Sequence, residues 1–372
     1  MKHVFTLTAI LFSIFAYAQN ITDSFVVNGV YRNYILHIPQ GYNASTAYPL
    51  VLNLHGYTSN AAQQMQYTKM NTTADAEHFF VVYPNGIDNA WNSFGNSPVD
   101  DVNFLSQLID RIRTSYSIDS NAVFSCGMSN GGFMSYTLAC QLSEKIAAVA
   151  SVTGTLSLSS QLNCAITHKM PVMNIHGTAD LVVNYNGFTG VLGVEATVAY
   201  WRDINNCGTI SDTINVPNTN TTDNSTAELI RYRECAENSE VYFYKITNGG
   251  HTWPNGLIDL PQANTNRDFD ATTEIWNFFK RHKKGQQSSS INNVNDFSAT
   301  IFPNPFNNAL TIHFADELPT ELTVFDITGK QVFGEENMKS TTNINSQNWN
   351  TGIYIAVLKN KNGVYISRIV KQ

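Results

Sequence analysis

A serine set among glycines is the residue whose type and surroundings point most directly to chemistry. The hexapeptide Gly127-Met128-Ser129-Asn130-Gly131-Gly132 stands between an apolar run and a helix-like segment, which is the pattern of a nucleophile elbow. In such a strand-to-helix turn the small neighbours tolerate a strained backbone, and the serine hydroxyl is exposed beside backbone N–H groups at the start of a helix. The G-x-S-x-G pattern alone is weakly specific, so other motifs must support it.

A serine hydroxyl is a poor nucleophile near neutral pH, so it needs a general base and an acid that orients this base. Asp180 ends the string Ile175-His176-Gly177-Thr178-Ala179-Asp180 after one apolar run, and His251 follows Asn248-Gly249-Gly250 after another. Taken singly, the aspartate could be a turn residue and the histidine could cap a turn. The order Ser129, Asp180, His251 is one in which catalytic triads occur, and we predict that these residues form a triad.

Backbone donors for a developing oxyanion are predicted at two positions. The strand-like run 50–54 is followed by His55-Gly56-Tyr57, which would let the N–H of Tyr57 join the N–H of Asn130, the residue after the serine. Donors that are fixed where charge develops contribute more than donors that must reorganise. We interpret His55 and His176 as structural histidines that hydrogen-bond their own loops rather than as bases.

Three side chains next to these motifs are candidates for the substrate pocket, namely Met128, Trp91 and Trp253. For the two tryptophans a place in the core is an equally good interpretation, because large aromatic rings are buried in both settings. Asp100 and Asp101 are rival acids for the triad, but their position before a helix-like run suits helix capping better.

The composition excludes several classes of function. The 372 residues are 43% hydrophobic and 14% charged, with a net charge of −7 and a pI near 5.7. There is no basic stripe of the kind that holds phosphate backbones, so nucleic acid is not predicted as a partner. Neither C-x-x-C nor H-E-x-x-H occurs, and we expect no metal and no organic cofactor.

The first 18 residues have the features of a secretory signal peptide. Met1-Lys2-His3 is basic, residues 4–16 are apolar, and Ala16-Tyr17-Ala18 places small residues two apart before Gln19. The apolar stretch is too short to cross a bilayer core, and no later segment is long and apolar enough to do so. We therefore predict export, with cleavage after Ala18 and no membrane span.

Export also makes disulfides possible for the five cysteines of the chain. An odd number leaves at least one cysteine without an intrachain partner. Cys126 lies in the apolar run before the serine, so we predict a buried free thiol there. We predict the pairs Cys140–Cys164 and Cys207–Cys235, although four cysteines allow other pairings.

Strand-like and helix-like segments alternate over much of the chain. Several apolar runs are continuous rather than alternating, as in strands that are covered on both faces. The predicted strands are 31–37, 50–54, 79–83, 123–126, 147–152, 172–175 and 241–246, and amphipathic helices are predicted at 101–116 and 268–281. This pattern predicts an α/β domain with a mostly parallel sheet flanked by helices, in which functional residues gather at the carboxyl ends of the strands.

The pattern changes after this region. Residues 283–296 are mostly polar and without periodicity, and we predict a linker there. Beyond it, short alternating runs at 310–314, 322–325, 354–358 and 364–370 are separated by glycine and asparagine turns, which predicts a small β-sandwich. The predicted organisation is a signal peptide at 1–18, an α/β domain at 19–282, a linker at 283–296 and an all-β domain at 297–372.

The motifs taken together resemble the secreted esterases that include poly(3-hydroxybutyrate) depolymerases and feruloyl or acetylxylan esterases, within the α/β-hydrolase superfamily. The matching strings are Leu54-His55-Gly56, Tyr83-Pro84-Asn85-Gly86, Asp100-Asp101-Val102, the serine hexapeptide, His176-Gly177-Thr178-Ala179-Asp180 and Gly250-His251-Thr252-Trp253-Pro254. The resemblance covers residues 25–281 and implies Ser129 as nucleophile, Asp180 as orienting acid and His251 as base. Tyr57 is a departure, because many relatives carry cysteine or another small residue at this position, and it puts the shape of the pocket in doubt.

The tail carries a second resemblance. The strings Ile301-Phe302-Pro303-Asn304-Pro305, Phe325-Asp326-Ile327-Thr328-Gly329-Lys330, Gly352-Ile353-Tyr354 and Lys371-Gln372 resemble the C-terminal sorting domain of type IX secretion. The resemblance implies the type IX machinery as a partner, passage through the outer membrane, and removal of the tail.

The triad and the resemblance together predict a secreted serine carboxylic-ester hydrolase that acts through an acyl-enzyme. We prefer a feruloyl or acetylxylan esterase acting on plant cell-wall polysaccharide, because no polymer-adsorption module is recognisable. The alternative is an extracellular poly(3-hydroxybutyrate) or related polyester depolymerase. A peptidase and a catalytically silent binding module are further alternatives, which a casein assay and a fluorophosphonate probe would test.

Overall fold

The structure, a computed structural model, describes residues 18–208, 211–257, 264–285, 299–314, 320–360 and 363–372. The chain divides into two units, with the boundary between Gln286 and Gln287, and each unit is described by itself. The predicted signal peptide, apart from its last residue, and most of the predicted linker lie outside the described residues. None of the helices in the described ranges is long and apolar enough to cross a membrane.

The first unit is built on a ten-stranded sheet with the strand order β1-β2-β4-β3-β5-β6-β7-β10-β9-β8. The strands are β1 Gln19–Val27, β2 Val30–Ile38, β3 Tyr48–Leu54, β4 Phe80–Pro84, β5 Ile118–Met128, β6 Ala148–Val152, β7 Val172–Gly177, β8 Asp212–Asn215, β9 Thr226–Tyr232 and β10 Val241–Thr247. Six central strands, from β4 to β10 in the sheet order, run parallel. The pairs at both edges are antiparallel. A mostly parallel sheet is what the sequence predicted.

In the described part of this unit, seven helices cover the two faces of the sheet. They are α1 Ala61–Thr68, α2 Met70–Glu77, α3 Asp101–Ser115, α4 Asn130–Gln141, α5 Leu158–Leu162, α6 Val194–Ile204 and α7 Ala271–Phe279. One core cluster holds buried residues of α3, α4 and α6, and a second cluster holds those of α1, α2 and α7. In β6, Val149 belongs to the first cluster while Ala148 and Ala150 belong to the second. Burial on both faces explains why the central strands are mostly apolar.

The two predicted helices form where the hydrophobic periodicity placed them. In α3, the residues Phe104, Leu105, Leu108 and Ile112 are buried and recur at helical spacing. The Asp100 side chain caps α3 by accepting a hydrogen bond from the N–H of Asn103 at 3.0 Å. The helix predicted at 268–281 is shorter in the structure, where α7 begins after a cap at Asp270 and ends at Phe279.

Two disulfides connect the segments of the first unit, and both pairings agree with the prediction. Cys140 at the end of α4 bonds to Cys164 after α5, and Cys207 bonds to Cys235. Cys126 in β5 is the free, buried cysteine, and burial raises the pKa of its thiol. This thiol is therefore kept in its unreactive protonated form.

The first residues of the predicted linker belong to the first unit, which corrects the predicted boundary at 282. The backbone N–H of Lys284 donates to the carbonyl of Asn121 at 2.8 Å. The ammonium of Lys283 lies 3.0 Å from the Asp119 carboxylate. These bonds to β5 continue the ordered chain past α7, where the sequence shows only polar residues.

The second unit consists of two antiparallel sheets, with strand orders β11-β12-β15 and β14-β13-β16-β17. The strands are β11 Ala299–Phe302, β12 Ala309–Phe314, β13 Thr320–Asp326, β14 Gln331–Met338, β15 Thr341–Asn345, β16 Gly352–Asn360 and β17 Gly363–Lys371. One hydrophobic cluster joins Leu310 and Ile312 of the first sheet to Val324 and Leu358 of the second. This arrangement is the small β-sandwich expected from the short alternating runs.

Candidate active site

Ser129 occupies the turn between β5, which ends at Met128, and α4, which begins at Asn130. Its backbone has φ 55° and ψ −119°, a conformation that costs a non-glycine residue roughly 1–3 kcal/mol. Two backbone bonds hold it there, because its N–H donates to the Val152 carbonyl at 2.8 Å and its carbonyl accepts from the N–H of Phe133 at 2.9 Å. The turn therefore has the strained geometry of a nucleophile elbow.

The glycines around Ser129 are required by close backbone packing. A Cβ atom at Gly131 would lie 2.2 Å from the carbonyl oxygen of Leu54, and one at Gly127 would lie 2.5 Å from the carbonyl carbon of Gly131. The elbow thus packs directly against the end of β3. On the same side, a Cβ atom at Gly56 would be 3.5 Å from the Cβ of Ser129, so the loop after β3 runs beside the serine.

Asp180 and His251 form the hydrogen bond expected of a catalytic acid and base. Nδ1 of His251 lies 2.8 Å from Oδ2 of Asp180. The other carboxylate oxygen accepts the backbone N–H groups of Val182 and Val183, both at 2.9 Å. An ionised carboxylate can only accept, so Nδ1 of His251 carries the proton and Nε2 is left as the basic nitrogen. The Asp180 side chain is fully buried, whereas that of His251 is 12% exposed.

The sheet order brings these two residues together. β7 and β10 are parallel neighbours, and Asp180 and His251 follow their carboxyl ends. The loops are in direct backbone contact, since the N–H of Ala179 donates to the carbonyl of Gly249 at 2.9 Å. A Cβ atom at Gly177 would lie 2.1 Å from that carbonyl oxygen, so this approach requires glycine. Asp180 and His251 thus lie close together because they follow the ends of two adjacent strands.

A second histidine touches Asp180, and sequence reasoning missed this contact. Nε2 of His176 lies 2.9 Å from the Val183 carbonyl and 3.3 Å from Oδ2 of Asp180. Because a carbonyl only accepts, Nε2 carries the proton, while Nδ1 is buried without a partner among the described residues. Burial would raise the pKa of Asp180, but hydrogen bonds from His176 and His251 hold this pKa well below its usual range. The signal in the sequence that could have predicted this contact is the i, i+4 spacing of His176 and Asp180.

Asn130 is held by its side chain at the start of α4. Its Oδ1 accepts the backbone N–H of Trp91 at 2.6 Å, and its Nδ2 donates to the Trp91 carbonyl at 3.0 Å and to Oγ of Ser93 at 3.1 Å. As the first helical residue, Asn130 has a backbone N–H without an acceptor inside the helix. That N–H is one of the two predicted oxyanion donors, and Tyr57 of the neighbouring loop carries the other.

His55 has the structural role that the sequence suggested. Its Nε2 accepts the N–H of Gly86 at 3.0 Å, which places the proton on Nδ1 for donation to the Gly56 carbonyl at 2.8 Å. Burial lowers the pKa of this imidazole. A neutral His55 therefore stabilises the loop that leads to Tyr57.

The structure buries both tryptophans that were predicted as candidates for the pocket. Trp91 and Trp253 are 3% and 1% exposed, and their indole N–H groups donate to the His55 carbonyl and to Oγ1 of Thr272. Both rings are satisfied inside the core, so they support the loops rather than line an open pocket. Met128 is also buried, with 6% of its surface exposed.

The rival acids also have other partners. Asp100 caps α3, as described above. Asp101 is buried and binds the Arg32 guanidinium at 2.6 Å, while its second oxygen accepts the N–H of Asn92 at 2.8 Å. These contacts give both acids structural roles.

An open polar cleft of about 730 Å³ lies elsewhere in the first unit. Its walls come from residues 92–102, the carboxyl-terminal half of α4, and α5 with the segment after it. Ser129, Asp180 and His251 are not among its lining residues. Among the residues that the structure describes, no group of three or more histidine, cysteine, aspartate or glutamate side chains could hold a metal ion.

Comparison with known proteins finds a family match within each unit. Residues 99–203 match the phospholipase/carboxylesterase family, and residues 300–372 match the secretion system C-terminal sorting domain. A bifunctional acetylxylan esterase/xylanase of Neocallimastix patriciarum is 31% identical over 220 residues, which are 58% of this chain and 31% of that protein. Feruloyl esterase B of Piromyces equi is 27% identical over 245 residues, which are 61% of this chain and 44% of that protein.

The chain therefore spans less than half the length of each of these two relatives. An acetyl xylan esterase structure from Aspergillus awamori aligns with 64% of this chain and 94% of its own, at 16% identity and a TM-score of 0.48. The mostly parallel α/β unit thus carries a match to the phospholipase/carboxylesterase family and has feruloyl and acetylxylan esterases among its relatives, and the second unit matches a secretion-system C-terminal sorting domain.

Proposed function

We propose that this protein is a secreted serine carboxylic-ester hydrolase. The observation that carries the proposal is the 2.8 Å bond between Asp180 and Nδ1 of His251, at the sheet edge where Ser129 occupies its strained turn. In the proposed reaction, Ser129 Oγ attacks the ester carbonyl while Nε2 of His251 takes its proton. The imidazolium passes that proton to the leaving alcohol, and Asp180 stabilises the charged ring.

The proposed oxyanion hole consists of the N–H groups of Asn130 and Tyr57. Fixed donors of this kind stabilise the charge on the tetrahedral intermediate without reorganising. Water then attacks the acyl-enzyme with His251 again as base, which releases the acid and restores Ser129. Residues of this chain supply every proton transfer in this scheme.

Feruloyl or acetyl groups on plant cell-wall polysaccharide are the first candidate substrates, because relatives at 27–31% identity carry these activities in their names. An aliphatic polyester is the second candidate. It is favoured by three exposed apolar side chains in the loop that follows β7 and carries Asp180, namely Leu181, Val182 and Phe188.

Export is the remaining part of the proposal. The match of residues 300–372 to a secretion-system sorting domain supports passage through the type IX machinery to the cell surface or the medium. We propose the predicted order of signal peptide, esterase domain, linker and sorting domain, with the esterase domain extended to include Lys284.

The test compares Ser129→Ala with Ser120→Ala, a matched control at the exposed other end of the same strand β5. Each full-length variant is assayed for acid released from methyl ferulate, acetylated xylan and polyhydroxybutyrate. Release by wild type and Ser120→Ala, but not by Ser129→Ala, is expected. Undiminished release by Ser129→Ala would overturn the assignment. Labelling of Ser129 by a fluorophosphonate would exclude a silent module, and casein cleavage would point to a peptidase.

A further inference from the structure

Two strings of the resemblance have no part in the proposed reaction, namely Tyr83-Pro84-Asn85-Gly86 and Asp100-Asp101-Val102. Asn85 follows the end of β4, and Asp101 begins α3. In the structure both strings contact one guanidinium, that of Arg32 in β2. Its Nη2 donates to Oδ1 of Asp101 at 2.6 Å and to the carbonyl of Asn85 at 3.3 Å. The two strings thus meet at a single ion pair.

The pair of Arg32 and Asp101 lies deep in the first unit. Their side chains are 3% and 1% exposed, and the guanidinium carbon lies 3.8 Å from the centroid of the Phe104 ring. A pair buried to this extent contributes little net stability, because the cost of removing both charges from water offsets their attraction. The planar guanidinium does, however, hold its partners in fixed directions. We therefore looked for what the two partners of Arg32 hold in turn.

From Asp101, hydrogen bonds lead to the first proposed oxyanion donor. Oδ2 of Asp101 accepts the backbone N–H of Asn92 at 2.8 Å. The residues on either side of Asn92 hold the carboxamide of Asn130. The N–H of Trp91 donates to its Oδ1 at 2.6 Å, and Oγ of Ser93 accepts from its Nδ2 at 3.1 Å. The Asp101 carboxylate therefore fixes the segment that orients Asn130 at the start of α4.

From Asn85, hydrogen bonds lead to the loop of the second proposed donor. Oδ1 of Asn85 accepts the N–H of Ala61, the first residue of α1, at 2.7 Å. The next residue, Gly86, donates its N–H to Nε2 of His55 at 3.0 Å. The loop between β3 and α1, which contains Tyr57, is thus held at both of its ends. Arg32 therefore connects, through its two partners, the segments that carry both donors.

We propose that Arg32 and Asp101 are positioning residues that fix the two oxyanion donors, the N–H groups of Asn130 and Tyr57, relative to each other. The proposal rests on the ester hydrolysis proposed above. Both residues act through the segments that they hold, because both are buried. Donors in a fixed place stabilise developing charge without reorganising, and a small displacement of such groups costs a large factor in rate. The pair acts on kcat rather than on substrate binding, because the oxyanion forms only as the reaction proceeds.

The test replaces the pair by apolar side chains of similar size, in the full-length double variant Arg32→Met with Asp101→Leu. Such replacements of a buried ion pair are often neutral for stability, whereas the hydrogen bonds to both segments are lost. For a soluble aryl ester, kcat is expected to fall at least tenfold while KM changes by less than about twofold. The matched control is Arg231→Met with Asp212→Leu, which removes an Arg–Asp pair between the edge strands β9 and β8 and is expected to keep the wild-type kcat.

Inhibition by an aryl boronic acid distinguishes an effect on the oxyanion hole from a general loss of structure. Boron bonded to Oγ of Ser129 is tetrahedral, and it places an oxygen where the oxyanion would form. The inhibition constant of the double variant should therefore rise by about the factor by which kcat falls. Circular dichroism and urea unfolding check that the variant is folded.

A milder variant tests the last link of the chain if the double variant does not fold. Ser93→Ala removes only the Oγ that accepts from Asn130. It is expected to lower kcat about two- to fivefold, with a matching rise in the inhibition constant of the boronic acid. Ser97→Ala is its control in the same loop, because the Ser97 hydroxyl accepts from the N–H of Val99 instead.

Several results would overturn the proposal. They are wild-type kcat and boronate inhibition in the folded double variant, an equal loss of kcat in both pair variants, and a raised KM with kcat retained. If the double variant does not fold, wild-type kinetics of Ser93→Ala would also overturn it. The proposed function fails by a different result, namely a wild-type protein that hydrolyses no aryl ester and whose Ser129 is not labelled by a fluorophosphonate.

Discussion

His176 offers a sharp test of how the acid of the proposed triad is held. Its Nε2 lies 2.9 Å from the Val183 carbonyl and 3.3 Å from Asp180, so it holds the loop and also faces the carboxylate. The informative perturbation is His176→Phe, which removes the hydrogen-bond donor but keeps a ring beside Tyr185. In the structure the ring centroids of His176 and Tyr185 are 6.2 Å apart in an edge-on arrangement. His176→Gln is the matched variant that keeps a donor on a side chain of similar length.

The expected magnitudes follow from the contacts. In His176→Phe the buried Val183 carbonyl loses its partner, which costs about 1–3 kcal/mol of unfolding free energy. Asp180 keeps His251 and two backbone donors and loses the most distant of its four contacts. We therefore assign the lost contact about 1 kcal/mol in the transition state, which is roughly a fivefold fall in kcat.

The assay measures kcat and KM for a soluble aryl ester as a function of pH, beside urea unfolding. His176→Phe should lower kcat with KM nearly unchanged. Because one donor is gone, the pKa of Asp180 should rise, and the stability that its ionised carboxylate contributes should become smaller. His176→Gln should restore most of kcat. Equal kcat for wild type and His176→Phe, together with a loss of stability, would show that the histidine holds only the loop and would refute the reasoning.

Three further predictions concern the framework. Replacing Cys207 and Cys235 by alanine opens a loop with a sequence separation of 28 residues and should lower the unfolding free energy by about 3.5 kcal/mol, a difference that should vanish when both proteins are reduced. Gly131→Ala should reduce kcat at least tenfold, since its Cβ would lie 2.2 Å from a backbone oxygen, whereas Gly208→Ala, with its nearest atom at 4.0 Å, should not. The pKa of Asp180 is lowered in the folded protein. The stabilising effect of its carboxylate is therefore complete above the unfolded-state pKa near 4 and is lost as the pH falls towards the folded-state pKa. In urea unfolding, the difference in stability between wild type and Asp180→Asn should shrink below about pH 4.

The central strands could be predicted from the sequence because their burial is visible in it. β4 is buried at every residue, and so are β6 and β7; β4 is wholly apolar and β6 is interrupted only by Ser151, while apolar residues also lead β7. The edge strands β1, β8 and β9 were not predicted. β8 is half-buried or exposed throughout, and its place in the sheet depends on pairing with β9, which no local pattern shows.

The tryptophans mark the limit of local reasoning at the site. Trp253 stands two residues after His251 in the sequence, which suggested a pocket wall. Its indole, however, finds its partner on Thr272 in α7, and its backbone N–H donates to the Tyr67 hydroxyl. Those partners come from distant parts of the chain. Whether a large aromatic next to a motif points inward is therefore decided by contacts that the motif does not contain.

The order of strands brings the motifs of the proposed site together. Each proposed triad residue carries its own motif, and the parallel sheet brings the three motifs to one edge. The exposed apolar side chains of the neighbouring loops have no motif, because Tyr57, Leu158, Leu181 and Leu257 are ordinary residues until the sheet places their loops side by side. Leu181 directly follows Asp180, so the loop that stabilises this acid also presents the most exposed leucine among the described residues of the unit. Substitutions of Leu181 that keep the backbone bonds to Asp180 should therefore leave the hydrogen bond between Asp180 and His251 in place.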